Sequence, residues 1–259
     1  MLKANNIHYT IGKKKILNDI SLEFLPGEFN MILGPNGSGK STFLKVFSGE
    51  INNYSGSILY NNKNILTQKK EALAKYRAVM SQQPELSFPL TVDEVVMMGR
   101  YPHFNFNPNK KDIDICEAVM ERMNLSSFKE RNYLTLSGGE KQRVQFARVL
   151  SQIWQQPEKG TRFLFLDEPL ASLDINYQQE FLQVAREFTK HDTVLVAVIH
   201  DINLATQYAD KLFFLKEGML IAQGRPNEIL NQALIKVVFG VNTTIIDNPL
   251  TNTPLVIYT

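Results

Sequence analysis

The densest concentration of chemistry in the sequence is the loop Gly34, Pro35, Asn36, Gly37, Ser38, Gly39, Lys40, Ser41, Thr42. Glycines let successive backbone N–H groups close around an anion, and a helix starting at the end of the loop adds its positive pole. Lys40 supplies a charge for β- and γ-phosphates, and the Ser41 hydroxyl suits a Mg²⁺ position. Much further along, the apolar run Phe163 to Leu166 leads into Asp167-Glu168-Pro169. A buried parallel strand there would deliver two carboxylates to the sheet edge where α/β sites lie. Asp167 suits a metal shell; Glu168, one residue on, points differently and can orient or deprotonate an attacking water. A third stretch, Leu136-Ser137-Gly138-Gly139-Glu140, precedes an amphipathic segment with Val144, Ala147 and Leu150 on one face. Ser137 and the bare glycine N–H groups could hold another phosphate, or they could simply cap a helix; the residues alone leave both readings open.

The elements that must position these groups follow from local pattern. Ile7 to Thr10 and Ser21 to Leu25 flank a basic turn, Gly12 to Lys15, and predict antiparallel strands. Phe29 to Leu33, the glycine loop and Thr42 to Phe47 predict strand, loop and helix. Further strands are expected at Gly56 to Tyr60, Arg77 to Ser81, Phe163 to Leu166, Val194 to Ile199, Leu212 to Leu215 and Met219 to Gln223. Between Pro84 and Pro157 helical periodicity takes over, with Ile113, Cys116, Val119, Met120 and Met123 at 3–4 spacing. The expected division is a catalytic α/β core with a β subdomain over 1–83 and 158–259, and a helical insertion over 84–157. From about Asn242 only short β-like pieces remain.

Composition narrows the classes. Twenty-eight Lys and Arg against 26 Asp and Glu leave a net charge of +2 in 259 residues. That excludes a dedicated polyanion binder, and no nucleic-acid partner is expected. The single cysteine, Cys116, makes an internal disulfide impossible and fits a reducing compartment. The longest apolar run, Val194 to Ile199, is far short of the roughly 20 residues of a spanning helix. The opening MLKANNIHYT lacks a secretory pattern. Any membrane role would come through a partner. His8, His191, Trp154 and Cys116 belong to no motif and are assigned to packing or surface.

The glycine loop, LSGGE, FLFLDEP, the SLD at 172–174 and a lone His200 after an apolar strand, in this order, resemble the ATP-binding cassette subunit of a transporter. The resemblance implies an α/β P-loop NTPase: a RecA-like core with an antiparallel β subdomain and an inserted α-helical subdomain. It implies ATP and Mg²⁺ as cofactors. Carried over residue by residue, it makes Tyr9 the aromatic that stacks on adenine and Asp174 a dimer contact. His200 becomes the residue that hydrogen-bonds the γ-phosphate, beside Glu168 as catalytic carboxylate. Gln82, with Gln83 as the rival, would join the metal and water site to the helical insertion; Ser41, Gln82 and Asp167 form the metal set. Ser137, Gly138, Gly139 and Glu140 would close over a nucleotide held by a second copy of the chain, so a homodimer is implied. Leu170 departs from the Thr or Ser of many relatives, and an effect on packing alone is expected.

Gly99-Arg100-Tyr101-Pro102-His103 is similar to a segment found in ATPases of iron-siderophore, vitamin B12 and heme importers. Arg77 to Met80, Gln152-Ile153-Trp154 and HDINLATQYAD lean toward the heme branch. The implied assembly has two transmembrane permease subunits and, indirectly, a periplasmic or surface substrate-binding protein. It would sit on the cytoplasmic face of the inner membrane. A ferric-siderophore or B12 importer, or a soluble cassette ATPase such as one serving cluster assembly, are the alternatives. Met97, Met98, Phe104 and Phe106 are read either as core or as a patch for a permease helix.

Overall fold

The computed structural model describes residues 1–81, 86–157, 160–190 and 192–259. The expectations for Gln82, Gln83, Pro84, Glu158 and His191 therefore fall outside the described residues. Strand β1 (Leu2–Ile11) and β2 (Lys14–Phe24) form a hairpin, and β3 (Phe29–Leu33) leads through the glycine loop into helix α1 (Lys40–Phe47). Then come β4 (Ser55–Tyr60), β5 (Lys63–Asn64), α2 (Lys70–Ala74) and β6 (Arg77–Met80). Helices α3 (Val92–Met98), α4 (Lys110–Arg122) and α5 (Gly138–Gln152) follow, joined by short 3-10 turns. The chain returns with β7 (Arg162–Asp167), α6 (Ile175–Thr189), β8 (Thr193–Val198), α7 (Ile202–Tyr208), β9 (Lys211–Lys216) and β10 (Met219–Gly224). It finishes with α8 (Pro226–Ile229), α9 (Gln232–Phe239) and the hairpin β11 (Thr243–Asp247) and β12 (Pro254–Tyr258).

Among the described residues the central sheet runs β10-β9-β3-β8-β7-β6, parallel from β9 to β6, with β10 antiparallel at the edge. Strands β3, β7 and β8 are buried along their whole length, which is why they read as continuous apolar runs without alternation. Their residues still alternate between two cores. Leu164, Leu166, Leu195 and Ala197 face α5 and α6, whereas Phe163, Phe165, Val194 and Val196 face α1 and the second sheet. That second sheet is antiparallel, in the order β2-β1-β4-β5. Phe24, Phe43, Phe47 and Phe213 meet there, Phe43 stacking on Phe47 at 3.8 Å. Each fully buried Phe or Leu contributes on the order of 1.5–3 kcal/mol, so the phosphate-loop helix is fastened from below by its own apolar face.

The three central helices are held by a buried polar knot that local pattern did not reveal. Arg100, 1 % exposed, donates from Nε to Asp112 at 3.0 Å and from a terminal nitrogen to the Ser151 carbonyl at 2.8 Å. Asp112 also closes the Asn109 capping box at the start of α4. Gly99 permits the approach of α3 to α5: a Cβ there would lie 2.1 Å from the Arg148 carbonyl. One position of the predicted helical stripe differs. Ile113 is 43 % exposed and Ile115 takes the buried place, because α4 packs against both α3 and α5 and its inward arc is turned toward the pair. Leu170 lies in the core, as a packing role requires. Among the described residues no helix is long and apolar enough to cross a membrane.

Candidate nucleotide site

Strand β3 ends in the loop, and the loop is shaped by its neighbours. Ser38 N donates to Pro35 O at 3.2 Å, and Gly218 N in the β9–β10 turn donates to Ser38 O at 3.0 Å. Gly39, at φ 99°, ends the loop where α1 begins. A side chain there would meet the Ile16 carbonyl at 2.9 Å and Leu17 at 3.3 Å, so β2 lies directly against the loop. Tyr9 is the cross-strand partner of Leu17 and is half-buried. The β1–β2 register thus places Tyr9 one strand over from the Ile16–Leu17 segment that touches the loop.

Lys40 Nζ donates to the carbonyls of Gly34 at 2.8 Å and Pro35 at 3.0 Å, which puts its ammonium inside the arc of the loop. Burial lowers its pKa, with the carboxylates of Glu168 and Asp167 pulling the other way. Ser41 Oγ donates to Asp167 Oδ1 at 3.2 Å, joining residues 126 positions apart. Burial raises the Asp167 pKa, partly offset by that hydrogen bond. The hydroxyl and carboxylate form a hard oxygen pair of the kind Mg²⁺ takes together with phosphate oxygens and water. Ser38 Oγ, buried in the same loop, has no hydrogen-bond partner among the described residues. Among the described residues no group of three or more His, Cys, Asp and Glu side chains is placed to hold a metal ion.

Glu168 follows β7 with φ 49°, an uncommon conformation for a non-glycine residue and one that costs on the order of 1–3 kcal/mol. Its amide donates to Val198 O at 3.2 Å, so β8 fixes the turn. The turn separates the two carboxylates: Asp167 stays with Ser41, and Glu168 Oε1 reaches His200 Nε2 at 2.7 Å. Beside this pair lies a cavity of about 190 Å³ lined by Leu170, Gln178, Ile199 and Leu204 among others. The ends of β3, β7 and β8 therefore bring Lys40, Ser41, Asp167, Glu168 and His200 to one end of the parallel strands.

Ser137–Glu140 occupy a different place. Ser137 caps α5 in a full capping box with Glu140, and Arg131 donates to Glu140 at 3.3 Å. Of the two readings left open by the residues, the structure shows the cap, which engages the Ser137 hydroxyl while Ser137 and Gly138 remain exposed. Their neighbours are Ser172 and Leu173 in the loop before α6. Asp174 caps α6 through Tyr177 N at 3.0 Å, and the adjoining Ile175 is 77 % exposed. Sequence reasoning missed Gln142, whose Nε2 donates to Pro169 O at 2.8 Å and ties the capped helix to the carboxylate turn. No local signal marks it. Of the aromatic and methionine cluster, Met97 packs against the core and also lines a groove of about 370 Å³ with Leu90, Tyr101, Ile113 and Met120. Phe106 is 93 % exposed, and Phe104 stands edge-on to Tyr101. His103 binds the Gln152 carbonyl through Nε2 at 2.7 Å.

Comparison with known proteins agrees with this geometry. Residues 17–171 match the family model described as ABC transporter. The hemin import ATP-binding protein HmuV of Gloeobacter violaceus is 44 % identical, over 99 % of this chain and 94 % of the relative. A chain of an inward-facing metal-chelate type ABC transporter superposes with a TM-score of 0.80 at 22 % identity, covering 100 % of this chain and 96 % of that one. A dimeric ATP-binding cassette in a post-hydrolysis state, bound to ADP and phosphate, gives a TM-score of 0.75 at 25 % identity, covering 87 % and 98 %. The chain belongs to the ATP-binding cassette family of ABC transporters.

Proposed function

We propose that this chain is the ATP-hydrolysing subunit of a hemin importer. The observation that carries the reading is the meeting of Lys40, Ser41 with Asp167, and Glu168 with His200 at one end of a parallel sheet. The cargo rests on the 44 % identity to a protein named for hemin import. The core over 1–83 and 158–259 carries the chemistry, and the insertion over 84–157 transmits it.

Tyr9 stacks on adenine, and the backbone from Gly34 to Thr42 surrounds the phosphates. Lys40 places its charge between the β- and γ-phosphates. Ser41 and Asp167, with Gln82 as the third ligand the resemblance implies, would hold Mg²⁺, which would neutralise charge building on the phosphate oxygens. Glu168 takes a proton from the attacking water, and His200 holds the γ-phosphate against it. Ser137–Glu140 of a second copy cover the outer side of the nucleotide, and Asp174 and the exposed Ile175 lie at that junction. A dimeric ATP-binding cassette bound to ADP and phosphate among the solved relatives supports a dimer. Two permease subunits dock against the helical insertion. The groove beside Met97 and the exposed Phe88, Tyr101 and Phe106 support a cytoplasmic apolar segment as the ligand of that surface. A substrate-binding protein feeds the permease from outside, and the ATPase is peripheral on the cytoplasmic side.

The test is Glu168→Gln with ATP and Mg²⁺. Nucleotide binding is expected to persist, turnover to fall by about 10²–10⁴, and the chain to migrate as a dimer in size-exclusion chromatography. Wild-type turnover in that variant, or full activity from a chain monomeric at every concentration, refutes the mechanism. Vesicles holding the chain with its permease, offered hemin, a ferric siderophore and B12, decide the cargo.

A further inference from the structure

Helix α7 is 7 residues long and starts two positions after His200. So short a helix takes its direction from what holds its ends and flank. Asp201 caps it, Oδ1 accepting from Asn203 N at 2.8 Å and Leu204 N at 3.0 Å. A different device fastens the flank. The Asn203 carboxamide donates from Nδ2 to Val256 O at 3.1 Å and accepts from Val256 N at 2.8 Å. Two opposed hydrogen bonds to one residue are what a neighbouring strand would offer, so a side chain on α7 stands in for a strand along the outer edge of β12. Val256 is 3 % exposed and joins the main core. Ile202 and Ala205 are buried beneath the same helix. Two residues beyond, burial and the nearby Asp201 carboxylate push the Tyr258 phenol above its ordinary pKa.

The backbone around His200 is therefore tied on both sides. Ile199 N donates to Ile32 O at 3.1 Å, in the strand that enters the phosphate loop, and Asn203 is clamped to β12. Between these anchors stands His200, its side chain half exposed, with Nε2 at 2.7 Å from Glu168. The imidazole sits near the mouth of the site on a short stretch of chain, where a small rotation of α7 would swing it away from the carboxylate.

We infer that the last strand of the described chain, acting through the Asn203 carboxamide, is a positioning element for His200. It is a part of the ATPase site contributed by a segment more than fifty residues downstream. The inference rests on the proposed role of His200 at the γ-phosphate.

The test is a cycle of full-length variants, Asn203→Ala, His200→Ala and the double variant, read by turnover with ATP and Mg²⁺. Asn203→Ala is expected to lower kcat about tenfold while KM for ATP changes less than about twofold, since the phosphate loop is untouched. In the His200→Ala background it is expected to cost nothing further, because its effect passes through the imidazole. Asn203→Asp keeps the acceptor for Val256 N but not the donor, so its kcat should lie between the two; it also serves if Asn203→Ala does not fold. Unchanged kcat in Asn203→Ala, or a second tenfold loss on top of His200→Ala, overturns the inference while leaving the site reading intact. Wild-type turnover in His200→Ala overturns the site reading, and the inference with it.

Discussion

Asp167 and Lys40 are ionisable groups that the fold buries, 5 % and 6 % exposed. Asp167 has a raised pKa, so it holds its proton more readily folded than unfolded. Its contribution to stability is then fullest at acid pH and is lost as pH rises through the raised value. Asn has no such charge. In the absence of nucleotide, Asp167→Asn is expected to melt higher than the parent at pH 7, with the gain shrinking toward pH 4, while Mg²⁺-dependent hydrolysis is lost. Calorimetry across that range checks it; a difference independent of pH counts against burial as the cause. Lys40→Ala should weaken ATP binding about 10²-fold, the ~2–3 kcal/mol of charge-assisted contacts, as measured by nucleotide titration.

At the level of elements, the helical insertion depends on the buried Arg100–Asp112 knot as well as on its apolar residues. Removing the cation leaves Asp112, 2 % exposed, without its ion partner. Arg100→Ala should destabilise by roughly 3–5 kcal/mol, and Arg100→Met paired with Asp112→Leu by far less, because neither then strands a buried charge. Denaturant midpoints separate the two. The same knot explains what could be read from the sequence. The glycine loop, the run into Asp167 and the Ser137 cap are contiguous, so their residue types announce them. Arg100 meets Asp112 and Ser151, Gln142 meets Pro169, and Asn203 meets Val256 only because the chain folds back. Spacing along a chain carries no trace of such pairs. Ile113 and Ile115 show the intermediate case: helical period sets a stripe to within one residue, and the neighbouring helices choose which residue goes inside.

For the whole molecule, the cap at Ser137 and Gly138 and the neighbouring Ile175 are exposed, and the composite site proposed above would use that surface to cover the nucleotide of a second copy. ATPase rate per chain is accordingly expected to climb with protein concentration and level off once dimers dominate, which a dilution series measures. Phe106→Asp, at a side chain 93 % exposed, should leave that solution rate unchanged yet abolish retention by the permease in detergent. The lone thiol bears on how such docking can be watched. Cys116 is buried against α3 and its pKa is pushed up to about 12, so at neutral pH it is neither accessible nor nucleophilic. A maleimide dye would therefore pass over the parent protein, and a cysteine introduced at position 106 would become a fluorescent or spin-labelled sentinel on a silent background.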